Sequence, residues 1–344
     1  MKGATMFSQY QNRDLTDANG NVSTMVYIPR FDLSDVADGA ESIPHPAFVR
    51  GGEVLDGIWI AKYQCSAQNG FARAAFGKDP CVNVTFDEAR SMCEKMGEGF
   101  HLMTAMEWGA VALLCQKNGY LPYGNNAMGK DYREDASSAR ISYYDAEKGV
   151  CRVATGNGAV SWSHNGQADG IYDLNGNVWE WVDGMRLVFG ELQILSSSGS
   201  GEWYAINGKD GSLIIPDGKG STENSVRLDF RDDRWIFVTD RAESILPKVR
   251  QCPFTAVNTD DGVCPAARAL ILSLGLLPVG DRALLEGVSL FANNGKEERM
   301  AFRGGRWGQN ENSGIFKTCF DDARDYSGEA VGFRAAYFSF GKEK

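Results

Sequence analysis

The sequence predicts a mixed fold of short strands, a few short helices and long ordered loops, and three observations carry that expectation. The chain holds 40 Gly and 8 Trp, a pairing that suits tight turns and large space-filling rings rather than a helical bundle. Two stretches, Thr85-x-x-Glu88 and Thr104-x-x-Glu107, have the spacing of a helix capping box. Several short apolar runs are bounded by Gly, Asn, Asp or Pro, the pattern of strands punctuated by turns.

Taken in order, "VSTMVYI" (22–28) reads as a strand, and a turn at Gly51-Gly52 leads to a second strand through Ile58–Tyr63. After Thr85, residues Ala89, Met92, Cys93 and Met96 form one apolar helix stripe, with Gly97 as its stop. After Thr104 the stripe is Trp108, Val111, Ala112 and Cys115, and Gly119 lies past the end. Cys93 and Cys115 are then small buried thiols. From 120 to 184 the chain is polar, rich in Gly, Asn and Tyr, and reads as ordered loop. "RLVFGELQIL" and "EWYAINGKDGSLIIP" read as hairpin strands, the second about an Asn-Gly-Lys-Asp-Gly turn. "PAARALILSLGLLP" reads as a buried helix with Pro265 in its first turn. The expected organisation is an N-terminal part (1–184), an insertion subdomain of hairpins plus one helix (185–300), and a C-terminal part (301–344).

A formal charge of −10 argues against binding nucleic acid or an anionic membrane, both of which need clustered Lys and Arg. The most apolar run, 269–279, is too short to insert across a bilayer. The first twenty residues lack the apolar core of a secretory signal. The eight Cys form no CxxC and no zinc-like spacing with His. Cys252 and Cys264 flank a loop and either pair in an oxidising compartment or stay free.

"DLNGNVWEW" (173–181) raises the question of function directly. Asp173 and Glu180 are its only strong acid–base candidates. Read with "GGEVLDGIWIAKYQCS", "VTFDEARSMCEKMG", "HLMTAMEWGA", "FRGGRW" and "VGFRAAY", in that chain order, it resembles the formylglycine-generating (sulfatase-modifying-factor) branch of the C-type lectin fold. The likeness covers roughly 45–184 and 301–340. It implies an irregular α+β fold with two helices, small antiparallel sheets and long ordered loops. It also implies that Trp179 and Trp181 fill the core; no cofactor is expected, the alternative being calcium at Asn177, which stands at a family position able to ligate it.

The same likeness implies that catalysis is absent. Enzymes of this branch place two Cys shortly before the closing GFR, and here Phe316 and Asp321 stand at those places, with Cys319 between them. The iron-dependent relatives use a three-His cluster, whereas His45, His101 and His164 are scattered. The interval between the two Gly-anchored ends instead resembles the variable segment of diversity-generating retroelement proteins. On that reading Arg306, Gly308, Gln309, Asn310, Glu311, Asn312, Lys317, Cys319, Asp321, Asp322, Asp325, Tyr326, Gly328, Glu329 and Ala330 form a diversified, exposed ligand-binding surface at 306–330. Gly304, Gly305, Trp307, Phe316, Gly332, Phe333 and Arg334 are its scaffold. Substitution at the adenines of an Asn codon reaches most of these types but not Gln309, Glu311, Lys317 or Glu329. The expected partner is a protein or other cell-surface ligand, and the expected setting is a virion tail or surface, or a prokaryotic cell surface or secreted location. The alternatives are an ordinary polar loop, a formylglycine-generating-type oxidase with displaced thiols, and a structural virion protein.

Overall fold

Both capping boxes form. In the computed structural model, which describes residues 6–7, 9–196, 201–239 and 242–339, Glu88 N donates to Thr85 Oγ1 while the Glu88 carboxylate accepts from Thr85 N at 2.9 Å, opening the helix Phe86–Glu94. Thr104 and Glu107 repeat this at the head of Ala105–Lys117. Each box satisfies two backbone N–H groups that the helix itself leaves unpaired.

A five-stranded antiparallel sheet carries its strands in the order Asn12–Thr16, Val22–Pro29, Gly57–Ala61, Ala335–Tyr337, Phe100–Leu102. The strand Ala335–Tyr337 therefore lies between Gly57–Ala61 and Phe100–Leu102, which brings the end of the described chain back onto its first third. A larger sheet runs in the order Arg250–Pro253, Ser289–Ala292, Gly314–Phe320, Arg299–Gly304, Trp179–Val188, Glu191–Leu195, Arg227–Arg231, Arg234–Val238, Asn258–Thr259. Val331–Phe333 pairs in parallel with Trp179–Trp181 at one end of it.

The stretch 120–184 is more regular than its composition predicts. It holds the hairpin Ile141–Asp145/Val150–Val153 and the start of the ten-residue strand Trp179–Val188. That strand is buried on both faces over most of its length, so it shows no alternation of apolar and polar residues and its period is hidden. In the hairpin, Ile141, Tyr143 and Tyr144 are exposed, and apolar residues facing solvent hide the period there too.

The block 185–300 adds strands to both flanks of the larger sheet. It shares a core with the rest of the chain: one apolar cluster runs from Ile28 and Leu113 to Trp235 and Leu290. Its helix Pro265–Ser273 crosses Ala105–Lys117 at Gly109, where any side chain would run into the Ser273 carbonyl. Arg303, wholly buried, donates to the carbonyls of Leu274 and Gly275 beyond that helix's end, where partial negative charge collects.

All eight cysteines are free thiols. Cys252 Sγ accepts from Trp235 N, and Cys264 Sγ caps the helix Pro265–Ser273 by accepting from Ala267 N. The two serve separate elements, so the loop between them is not closed by a disulfide. Cys93 and Cys115 are buried, as their stripes predict. No helix among the described residues is long and apolar enough to cross a membrane.

Candidate ligand-binding face

The motif at 173–181 is structural. Asn177 sits at φ +63°, and its amide donates to Gln64 Oε1 (2.9 Å) and Val153 O (3.2 Å). Its Oδ1 accepts from Val153 N (2.9 Å) and Asn125 Nδ2 (3.1 Å), and its carbonyl accepts from Trp307 N. Both Oδ1 lone pairs face protein donors, so the Asn177 side chain is engaged within the framework. Glu180 is held by Arg334 in a two-pronged pair with both contacts at 2.9 Å, and it also accepts from Gln64. Both carboxylate oxygens are thus engaged by buried donors. Asp173 is buried, which pushes its carboxyl up to about 6, and Gly156 N donates to it at 2.7 Å. Replacing Asn177 with Ala is expected to cost about 2–4 kcal/mol, because several buried partners lose a bond and Ala is strained at positive φ. Calcium in excess over chelator is expected to leave the wild-type melting temperature unchanged. A rise would return Asn177 to the ligand role.

From this core the chain runs out through Arg299–Gly304 and turns sharply. Gly304 and Gly305 have φ of +86° and +84°. A Cβ at Gly304 would meet Leu174 O at 3.1 Å, and one at Gly305 would run into Ser313 Oγ. Only glycine fits both the backbone conformation and the space. Ser313 Oγ donates to Gly304 O at 2.8 Å, tying the far end of the excursion to its start. Trp307 is 2% exposed, and its indole N–H donates to Gly149 O at 2.7 Å. Arg306 N donates to Gln309 Oε1 and Asn310 N to Asn126 O. Gly308, Asn310 and Glu311 are exposed, while Arg306, Gln309 and Asn312 are half-buried.

Past Ser313 the chain does not stay at the surface. Gly314–Phe320 is a fully buried strand. Lys317 and Cys319, both expected among the exposed contact groups, are 0% and 9% exposed. The expectation fails because the Ser289–Ala292 strand of the 185–300 block covers this edge, and no local pattern announces that cover. Lys317 Nζ donates to Ser289 Oγ at 2.8 Å and lies 4.0 Å from the Phe291 ring centre, and burial brings its ammonium down to about 7. Burial pushes the Cys319 thiol up to about 12, which leaves too little thiolate for a nucleophile. Phe316 is buried and stacked on Phe254, the scaffold position expected.

The return segment reaches the surface again. Asp325 and Tyr326 are exposed, and Asp321, Asp322, Gly328, Glu329 and Ala330 are half-buried. Burial and the neighbouring Asp321 raise the Asp322 carboxyl to about 6. Tyr326 leans on Phe302 with ring centres 6.0 Å apart, and Asp322, Arg306 and Asp321 are near enough to act on its hydroxyl electrostatically. Glu329 pairs with Lys148 at 2.6 Å, and its carbonyl accepts from Arg152. The structure thus brings 306–312 and 321–330 together as two lobes, with the buried strand passing beneath. Gly332 and Phe333 are buried in the parallel pair that closes the segment, and Arg334 follows on Glu180.

Sequence reasoning missed several members of this face. Met128 Sδ lies 3.7 Å from where a Gly308 Cβ would stand. Tyr132 lies within electrostatic reach of Glu311. The hairpin carrying Tyr143 and Tyr144 borders Glu329 through Lys148. Met128, Tyr132 and Tyr144 are 44%, 42% and 60% exposed, so a rim of one thioether and two phenol rings borders the segment. The density of Tyr between 120 and 145 is the one signal that pointed to it.

Residues 45–212 match the sulfatase-modifying factor enzyme 1-like domain. The fold is an irregular α+β one, and the two capping-box helices and "GNVWEW" all lie inside the matched stretch. The sulfatase-modifying-factor-like stretch ends before "FRGG", and the C-terminal part joins it physically, through the 331–333 pairing and the Glu180–Arg334 contact. No curated protein matches the chain. Among solved structures, the chain is similar to PvdO from Pseudomonas aeruginosa, with 12% identity over 94% of this chain and 97% of that one and a TM-score of 0.35. It is similar to Treponema denticola variable protein 1, with 13% identity over 95% and 98% and a TM-score of 0.36. It is also similar to the Major Tropism Determinant U1 variant, with 10% identity over 96% and 73% and a TM-score of 0.33.

Proposed function

We propose that this protein is a non-catalytic binder that recognises a protein or other cell-surface ligand through a diversified face. That face comprises Arg306, Gly308–Asn312, Asp321, Asp322, Asp325, Tyr326 and Gly328–Ala330. The observation that carries the reading is the contrast along one segment. Its ends are locked by Gly304-Gly305, Ser313 and Arg334, while the groups between them that reach solvent make few bonds to the framework. Such positions tolerate exchange, since exposed substitutions change stability by about ±0.5 kcal/mol. A held backbone also limits the ordering cost of binding. Small polar groups beside aromatic anchors suit an adaptable recognition surface. The setting that fits is a virion tail or surface, or a prokaryotic cell surface.

Replacing Gln309, Asn310, Glu311, Asp325 and Tyr326 together with Ala is expected to shift stability by less than about 2 kcal/mol while abolishing ligand capture. Unfolding would show that these groups hold the fold instead. Sequencing the gene's neighbourhood tests the diversification: a reverse transcriptase gene and a near-copy of the 3′ end differing at template adenines are expected. The oxidase alternative is checked by copper titration and peptide oxidation, and oxygen-dependent turnover lost on Cys319→Ala would overturn the binder reading.

A further inference from the structure

A cavity of about 570 Å³ lies where the matched domain meets the 185–300 block, and none of its lining residues belongs to 306–330. Among the described residues, its apolar lining is Met106, Ile194, Leu195, Leu213, Leu270 and Phe338, the last lying under Arg50. The lining also holds two charge groups. In one, Arg50 Nη2 (2.9 Å) and His101 Nε2 (2.8 Å) both face Glu107 Oε1, so that carboxylate is fully answered. In the other, Arg90 pairs with two carboxylates, Glu94 at 2.9 Å and Asp183 at 3.4 Å, while His101 and Arg324 act on Asp183 from farther off.

Asp183 is the unbalanced member. Its side chain is 9% exposed, yet it lines the cavity. Its Oδ1 accepts from Gly184 N at 2.7 Å, whereas Oδ2 has only the Arg90 contact, already shared with Glu94. Burial drives the Asp183 carboxyl upward from its ordinary range, against the pull of Arg90, Gly184 N and His101, as expected where water is removed from a carboxylate. Size, an apolar wall and a few convergent polar groups at a seam between chain segments are the usual attributes of a small-molecule site.

We propose that this cavity binds a small amphipathic amine, with its ammonium on Asp183 Oδ2 and Glu94 and its apolar body against Leu213, Leu270 and Ile194. The ammonium supplies hydrogen-bond donors to Asp183 Oδ2, whose one close cation contact is Arg90 at 3.4 Å. The body covers apolar wall that otherwise faces solvent. A carboxylate of the same shape would meet Asp183 and Glu94 with like charge.

The test is calorimetric titration of the full chain with three probes of one shape: 4-phenylbutylamine, 4-phenylbutanol and 4-phenylbutyrate. Saturable binding is expected in the order amine, alcohol, carboxylate, and this ranking needs no variant. Asp183→Asn keeps the acceptor for Gly184 N and is expected to weaken the amine by about tenfold or more while leaving the alcohol unchanged. Leu213→Trp, at an exposed strand position, is expected to block all three by filling the cavity. Absence of saturable binding, a carboxylate that binds as well as the amine, or an amine indifferent to Asp183→Asn would each overturn the proposal. Ligand capture by the 306–330 face is unaffected by any of these outcomes.

Discussion

Arg334→Ala is expected to destabilise the protein by roughly 3–5 kcal/mol. Arg334 and Glu180 are 0% and 1% exposed. The guanidinium gives Nε and Nη2 to the Glu180 carboxylate, and it also donates to Ala61 O and Tyr172 O at 2.8 Å each. One side chain therefore joins a strand of the five-stranded sheet, the 172–181 motif and the closing strand. Removing it leaves a buried carboxylate and two carbonyls unanswered. Arg334→Lys is expected to recover little, because an ammonium cannot present the planar fork. The pair of changes Glu180→Met and Arg334→Met is expected to cost less than Arg334→Ala alone, since no uncompensated charge remains. Denaturant midpoints at constant slope read all three. An Arg334→Ala midpoint equal to wild type would show that the pair does not anchor the closing segment.

Lys317→Met is expected to act in the opposite direction and stabilise the protein by about 1–3 kcal/mol at pH 6. The wild-type ammonium has a folded value of about 7, below the ordinary lysine value near 10.4. A depressed folded value means that the unfolded chain binds the proton more tightly. The stability in question is present above the unfolded value and is lost as pH falls through the folded one. Wild type therefore loses stability from about pH 10 down through pH 7, and the gain from Met grows along the same path. The Ser289 bond and the Phe291 ring offset part of the burial penalty, so the gain at pH 10 is expected to be small. Melting of both proteins at pH 6 and pH 10 reads the difference. An equal gain at both would show that packing alone is responsible. Tolerance of Met here would also fit a position free to change under diversification, even though it lies beneath the surface.

Much of the fold was legible because its signals are local. The capping boxes at Thr85 and Thr104 place two helices through contacts three residues apart. Gly304-Gly305 marks its turn because no other residue accepts both the φ and the crowding. The Tyr-bearing hairpin at 141–153 and the strand from Trp179 were hidden for opposite reasons. The first exposes apolar rings where polar ones are expected, and the second buries both faces.

By itself, then, the sequence determined the irregular α+β class, the capping-box helices and the turn glycines, since each is written in residues close along the chain. Only the tertiary structure decided which residues of the segment from Arg306 to Ala330 meet solvent. The strand Ser289–Ala292 lies against Gly314–Phe320 and takes Lys317 and Cys319 inside, while Asn177 is surrounded by donors and acceptors from Gln64, Asn125 and Val153. Burial is set by whatever segment arrives to cover a residue. Those segments come from far along the chain, and nothing in the local pattern announces them.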